Sequence, residues 1–463
     1  MVAGLASLVL PYRRFGGNLM SDRPRVSVIL ATHNRRDVLM TTLHAVADCG
    51  LDGRDLEIIV VDNASTDGTA DLVSNLPHVR LVRLRRNMGS CAKAAGVETA
   101  RGLTVVFLDD DSSPRPGCLE RMIRHFEDDR RLGAAAFTVH LPDGSQECSA
   151  LPHVFVGCGV GFRGRALRSV GGLDPTFFMQ AEEYDLSFRL LGAGWNIETF
   201  ADLQVDHLKT PHARKTRRTT YYDVRNNLRV IARYLPPPFR SIYQQDWLQR
   251  YRWLAQHDGH LSAFRRGVAG GRMRSLLERR RFRGQRLSAS TLEQVFGWSF
   301  VRTEMERLFH NGLRRIVLAD VGKNIFAFYR GACEAGLTIR AVADDRFAAN
   351  GRVYRGIPIV NTEKAISLGP DAYVVGNTSY VHAEQRFREL TNRTSRPVYN
   401  WFRPPQREPV GEIGSRASAA VSDLLPSSAR NQADVSLEPS LLEPRLLERD
   451  SQLVPIEPAD PCT

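Results

Sequence analysis

Residues 103–117 read "LTVVFLDDDSSPRPG", a β-branched and apolar run that ends abruptly in the three carboxylates Asp109, Asp110 and Asp111. Apolar runs of this length bounded by polar turn residues read as buried strands. Three earlier runs have the same form: "VSVILAT" (26–32), "EIIVVDN" (57–63) and "VRLVRL" (79–84). Amphipathic helical segments separate them, among them "RRDVLMTTLHAVADC" and "CAKAAGVETA". Strand–helix alternation at this spacing predicts βαβ units and an α/β fold with a mainly parallel sheet. Ligands of such sheets bind at the carboxyl ends of the strands, where Thr32, Asp62 and the aspartate run all fall.

Taken by itself, the aspartate run has two readings. It is a solvated loop capping the helix that begins near Pro116, or it is a site for a divalent cation. The second follows because hard oxygens at i and i+2 of an extended chain point the same way. "FFMQAEEYDLSFRLLGAGW" (177–195) adds Glu182, Glu183 and Asp185, and "VDHL" (205–208) adds His207. Carboxylates with one histidine on a shared edge make an Asp/Asp/His metal set a candidate.

The ordered motifs "VSVILATHNR", "IIVVDNASTDGT", "RNMG", "VVFLDDDSSPRPG", "RSVGGLDPTFFMQAEEYDLSFRLLGAGW" and "VDHL" resemble the family 2 glycosyltransferases of GT-A fold. The rhamnosyl- and galactofuranosyl-transferring branch is the most similar, and the resemblance spans roughly residues 25–235. It implies that Asp62 holds the nucleotide base with Thr32 nearby. It implies that Asp109, Asp111 and His207 hold Mg²⁺ or Mn²⁺ on the donor diphosphate, and that Asp110 leans toward the donor. The family's catalytic Glu-Asp pair falls on Glu182 and Glu183, so the general base is Glu183 or its neighbour Glu182. In "NMGSCAKAAG" (87–96) Ala94 stands where the family has an asparagine, and Lys93 reads as an exposed helix lysine.

The activity so implied is an inverting, metal-dependent transfer of a hexosyl or deoxyhexosyl group in cell-surface polysaccharide synthesis. The donor is a UDP-, dTDP- or GDP-sugar, and the acceptor a hydroxyl of a glycan or lipid-linked molecule. The competing class is a non-catalytic sugar-nucleotide sensor or scaffold.

Beyond residue 235 the chain changes character. Residues 236–312 read as a helical, arginine-rich connector, and 313–403 as a second, small α/β unit of Rossmann-like pattern. In that unit "ADVGKN" carries one glycine where a dinucleotide fingerprint has three, although Asp344 follows near the ribose-acid spacing. A structural or partner-binding role therefore fits better than an NAD site. Residues 404–463, rich in Pro, Ser, Glu and Arg, read as a disordered tail. Residues 1–22 form an N-terminal extension whose short apolar run suits neither a membrane span nor a signal peptide, and Met1 and Met20 both stand as starts.

The formal charge is +12, from 63 Lys and Arg against 51 Asp and Glu. Much of the excess lies in the 240–290 stretch, which is either a solvated helical face or a surface for peripheral contact with anionic lipid. No aromatic platform or zinc-ligand spacing supports nucleic-acid binding. Seven scattered cysteines form no CxxC pair and suit a reducing compartment. The expected location is cytoplasmic, at the inner face of the cell membrane if the lipid contact is made.

Overall fold

In the computed structural model, which describes residues 23–208, 216–348 and 351–405, strands buried along most of their length build two separate sheets. The expectations for residues 1–22 and, beyond Pro405, for the tail fall outside the described residues.

The first sheet and its helices run in the order β1 (Val26–Thr32), α1 (Arg36–Ala47), β2 (Leu56–Asp62), α2 (Thr69–Ser74), β3 (Val79–Arg83), α3 (Lys93–Thr99) and β4 (Thr104–Asp109). There follow β5 (Ser112–Pro114), α4 (Cys118–Asp128), β6 (Leu132–His140), β7 (Gln146–Glu147), β8 (Gly159–Arg163), α5 (Gly164–Ser169), α6 (Glu182–Gly192), β9 (Asn196–His207) and α7 (Arg217–Tyr234). Strand order is β3-β2-β1-β4-β8-β6-β9-β5, with β7 on β6. The first four strands are parallel, as their sequence spacing predicts. The sheet as a whole is mixed: β8 runs antiparallel to both β4 and β6, and β5 antiparallel to β9. Parallel pairing returns between β6 and β9, so the antiparallel ladders enter where β8, β5 and β7 return without a crossover helix.

Side chains alternate across each strand, which divides the core in two. Ile29, Ile59, Val61, Val105 and Phe107 face α3, α6 and α7, packing with Phe188, Val230 and Ile231. Val28, Leu30, Val60, Val106 and Leu108 face α1 and α4, packing with Leu43, Val46, Leu119 and Met122. Gly96 lets α3 lie close on the sheet, since a Cβ there would stand 2.5 Å from Cγ2 of Ile29.

Four helices follow: α8 (Phe239–His257), α9 (Leu261–Arg281), α10 (Ala289–Phe296) and α11 (Trp298–His310). The second sheet comprises β10 (Arg315–Ala319), α12 (Ile325–Glu334), β11 (Thr338–Ala343), β12 (Val353–Tyr354), β13 (Ile357–Val360), α13 (Thr362–Ser367), β14 (Ala372–Val375), α14 (Tyr380–Arg393) and β15 (Val398–Tyr399). Its order is β12-β13-β11-β10-β14-β15, parallel except at β12. The strand–helix pattern locates β10, β11, β13 and β14, but β15 adds a short edge strand beyond them.

The carboxyl edge of this sheet is filled by the protein itself. Asn324 accepts from Tyr243 Oη (2.7 Å), Trp247 Nε1 donates to the Lys323 carbonyl (2.8 Å), and Arg250 Nε to that of Val321 (3.1 Å). Asp344 accepts from the backbone N–H of Val321 (2.8 Å), Arg346 (3.0 Å) and Phe347 (3.1 Å). The carboxylate at ribose-acid spacing is thus spent on loop N–H groups. A Cβ at Gly322 would lie 2.6 Å from the Gly376 carbonyl oxygen.

One buried ionic network holds α9 to α7. Glu278 accepts from Arg229 Nε (2.8 Å) and Arg233 Nε (2.9 Å), while Arg233 also reaches Asp185 (2.6 Å) and Asp174 (3.0 Å). Asp185 is fully buried and bonds Arg189 (2.6 Å) and Tyr234 (2.7 Å), so the third carboxylate of "EEYD" has a structural task. Removing one member of a buried charged set leaves the others desolvated and unpaired. Glu278→Ala is therefore expected to lower unfolding free energy by about 3–5 kcal/mol, read from urea unfolding followed by circular dichroism.

Candidate active site

At the carboxyl edge of the first sheet, Thr32 pairs in register with Asp62, and Ala31 with Asp109. The chain then turns through Asp110 and Asp111 and re-enters as β5, which pairs Ser112 with His207 of β9. That antiparallel pairing carries His207 to the aspartate run from nearly a hundred residues away in sequence.

Each aspartate meets its own cation. Lys93 Nζ bonds Asp109 at 2.5 Å and the Gly157 carbonyl at 2.9 Å. Arg35 spans the other two, with Nη1 at 2.8 Å from Asp110 and Nη2 at 2.8 Å from Asp111. His207 Nε2 lies 3.2 Å from Asp111, and its Nδ1 lies 3.3 Å from Glu147. Burial alone would depress the His207 pKa, but the contacts with Asp111, Cys158 and Glu147 outweigh it and push it up to about 12. Burial raises Asp110 to about 6 despite Arg35. Burial acts the same way on Asp111, yet His207 and Arg35 hold that carboxylate well below its usual range.

Two expectations are corrected here. Lys93 is not an exposed helix lysine: it is 3% exposed, because α3 lies flat on the sheet and points it at Asp109. Asp109 and Asp111 do not project together as i and i+2 of one strand, because β4 ends at Asp109 and the chain turns at once. Asp110 pairs with Arg35, and its carbonyl accepts from Thr42 Oγ1 (2.8 Å).

These groups line one cleft of about 640 Å³, within the usual range for small-molecule sites. Thr32, Asp109, Asp110, Asp111, His207, Glu182 and Glu183 all line it. Asp62 does not. It is 2% exposed and accepts from the Ser65 N–H (3.1 Å), leaving its neighbour Asn63 on the wall.

Glu182 and Glu183 open α6 and line the same cleft as the aspartates. Ser90 Oγ donates to Glu182 Oε1, while Oε2 is buried without a hydrogen-bond partner. Burial raises the pKa of Glu182, and burial together with the charge of Glu182 raises that of Glu183 well above the ordinary glutamate value. Gly157 leaves room for this carboxylate, since a Cβ there would sit 3.3 Å from Glu183 Oε1. The loop leading into α6 is strained: Phe178, Gln180 and Ala181 all have φ between +65° and +70°. Asn226, fully buried on α7, donates to the carbonyls of Met179 (2.7 Å) and Gln180 (2.8 Å) and so helps hold that loop. Strained backbone held by a rigid scaffold is a common feature of functional sites.

The sequence reading missed several members. Arg35 closes the quoted "VSVILATHNR", just after a strand end, where a cation near the aspartates was legible. Cys158 was passed over as an isolated thiol, yet its Sγ clusters with Asp109 and His207, the three ligand atoms lying within 4.8 Å of one another. Lys323 could not be foreseen. It enters from the second sheet's β10–α12 loop, bonds Asn227 Oδ1 at 2.6 Å and lies 3.9 Å from the centroid of the Tyr184 ring. Burial lowers its pKa to about 7, against the opposing charge of Asp223 on the cleft wall.

The residues fit a divalent cation. Seven carboxylates line the cleft against three Lys or Arg side chains, and Asp109, whose side chain is 42% exposed, opens toward the space. Carboxylate and imidazole are ligand types that divalent cations take, and the Cys158 thiol beside them is a softer donor.

Parts of the chain are similar to known proteins. Residues 27–169 match the model "Glycosyl transferase family 2", and residues 104–303 match "Glycosyl transferase family group 2". The succinoglycan biosynthesis protein ExoO of Rhizobium meliloti is 37% identical over 103 residues, 22% of this chain and 29% of the relative. The putative teichuronic acid biosynthesis glycosyltransferase TuaG of Bacillus subtilis is 30% identical over 156 residues, 29% of this chain and 60% of the relative. The chain thus spans less than two thirds of the length of these relatives. Among solved structures, GalNAc-T7 with UDP, GalNAc and Mn²⁺ superposes with a TM-score of 0.41 at 14% identity, over 54% of this chain and 57% of that chain. Together, the two models and the relatives support a family 2 glycosyltransferase.

Proposed function

We propose that the chain is an inverting glycosyltransferase of GT-A type, using a nucleotide-sugar donor and a divalent cation to build a surface polysaccharide. The observation that carries this reading is one cleft lined together by Asp109, His207, Glu182 and Glu183. Asp109, with Cys158 or Asp111 and a His207 that gives up its ring proton to the incoming metal, would hold the cation. When bound it neutralises charge developing on the leaving diphosphate.

The chain's own groups account for the rest. An acceptor hydroxyl is too weak an acid to attack unaided, so a carboxylate within reach must take its proton. Glu183 serves as that base, and its neighbour Glu182 keeps it proton-avid through like charge. The acceptor oxygen bonds the anomeric carbon as the carbon–oxygen bond to the diphosphate breaks and its electron pair leaves with the diphosphate. A single displacement inverts the anomeric centre. Arg218, on the cleft wall at the start of α7, adds positive charge for an anionic leaving group. The relatives' names concern succinoglycan and teichuronic acid synthesis, which favours an acceptor that is a growing glycan or its lipid-linked precursor. The second sheet serves as a support, with Lys323 bonded to Asn227 of α7 near Asp223.

A panel of UDP-, dTDP- and GDP-sugars with Mn²⁺ tests the reading through release of nucleoside diphosphate. Glu183→Gln is expected to lower kcat by about 10²–10⁴-fold with donor affinity changed little. Donor binding without turnover on any acceptor would instead favour a non-catalytic scaffold. Asp109→Asn is expected to weaken Mn²⁺ binding in calorimetry and to abolish metal-dependent release.

The pH dependence has a defined sign. The base works only when deprotonated, and its pKa is raised, so kcat/KM falls with acidity through a limb well above 4.5, the ordinary glutamate value. Because the charge of Glu182 contributes to that rise, Glu182→Gln is expected to move the limb to lower pH in a rate–pH profile.

A further inference from the structure

We propose that the outer face of α9 is a docking surface for an anionic phospholipid bilayer. The helix is mounted in reverse. Its buried positions are Ala263, Gly267, Gly271, Ser275 and Glu278, against α7, while Met273, Leu276 and Leu277 are 65%, 58% and 63% exposed. The close approach needs the glycines: a Cβ at Gly267 would stand 2.8 Å from Val224 Cβ, and one at Gly271 2.6 Å from Leu228 Cδ1. At about 100° per residue, Met273, Leu276 and Leu277 share an arc opposite this seam. Three large apolar side chains side by side in water are a cost that a partner must relieve.

Charge identifies the partner. Residues 261–286 contain nine arginines and one acid, Glu278, which is consumed inside the α7 network. Arg266 and Arg280 lie on the same outward arc, Arg265 and Arg272 beside it, all exposed, and none has an ion-pair partner among the described residues. Apolar chains flanked by guanidiniums match the boundary between acyl chains and anionic headgroups, where the apolar stripe inserts and the arginines meet phosphate. A second copy would bring the two sets of arginines together, and nucleic acid would leave the apolar stripe in water.

Position adds a reason for the surface. The helix beneath α9, α7, lines the cleft through Arg218, Thr219 and Asp223. A bilayer under α9 would therefore lie beside the catalytic cleft, where a lipid-linked acceptor is presented. The docking claim itself stands apart from the catalytic reading, because it rests on α9 alone.

The test is co-sedimentation of the full chain with vesicles of phosphatidylcholine, with and without phosphatidylglycerol. The wild-type protein is expected to pellet with the anionic vesicles only. Met273→Ser/Leu276→Ser/Leu277→Ser should reduce partitioning at least about tenfold at low and raised salt. Arg266→Glu/Arg280→Glu should reduce it chiefly at low salt. Because all five side chains are exposed, unchanged circular dichroism and donor binding should accompany the loss. Equal pelleting with neutral and anionic vesicles, or wild-type partitioning by the triple variant, overturns the proposal. So does a wild-type dimer in light scattering that the triple variant converts to monomer, which would make a second copy the occupant.

Discussion

Three adjacent carboxylates at the end of one strand set the conditions for everything around them. Their mutual repulsion in a partly buried place must be offset, and Lys93, Arg35 and His207 do so from three different elements. Each of these partners brings its element with it. Lys93 fixes α3 against the sheet, Arg35 fixes the loop after β1, and His207 ties the far strand β9 to β4 through the short β5. The cleft is the space that this charge arrangement leaves open.

The counter-cations also organise the chemistry. Asp110 and Asp111 are satisfied within the protein, whereas Asp109 is half-exposed and held by a single lysine. It is therefore the carboxylate best placed to gain from a cation entering the cleft. On the same cleft Glu182 is buried and Glu183 half-buried beside it, which makes both avid for protons. The strained loop before α6, anchored by Asn226, leads into this pair.

The second sheet and the intervening helices extend the same logic. The edge that would bind a nucleotide in a free-standing α/β unit is occupied by Tyr243, Trp247 and Arg250 of α8. Lys323 passes from that edge toward Asp223. The arginines of α7 and α9 differ by position: Arg229 and Arg233 are buried and matched to acids, Arg225 is buried against the Phe177 carbonyl, and Arg265, Arg266, Arg272 and Arg280 are exposed with no ion-pair partner among the described residues. Position on the helix, and not sequence composition, separates structural from surface charge.

By itself the sequence determined the strand–helix order of the first four strands, the carboxyl-edge placement of Thr32 and the aspartates, and the pairing of Glu182 with Glu183 at a helix start. These are local properties, carried by alternation, by apolar run length and by turn residues. Tertiary structure alone decided which cation meets which aspartate, that Lys93 is buried, that Cys158 joins Asp109 and His207, and that Asp62 turns away from the cleft. It also decided that α9 shows its leucines to solvent. Helical periodicity identifies two faces but does not say which one packs, and here the small residues permit the close approach to α7 that commits the large ones outward. Contacts between distant segments depend on how strands pair across the sheet, and β8, β6 and β9 pair in an order that no local pattern encodes.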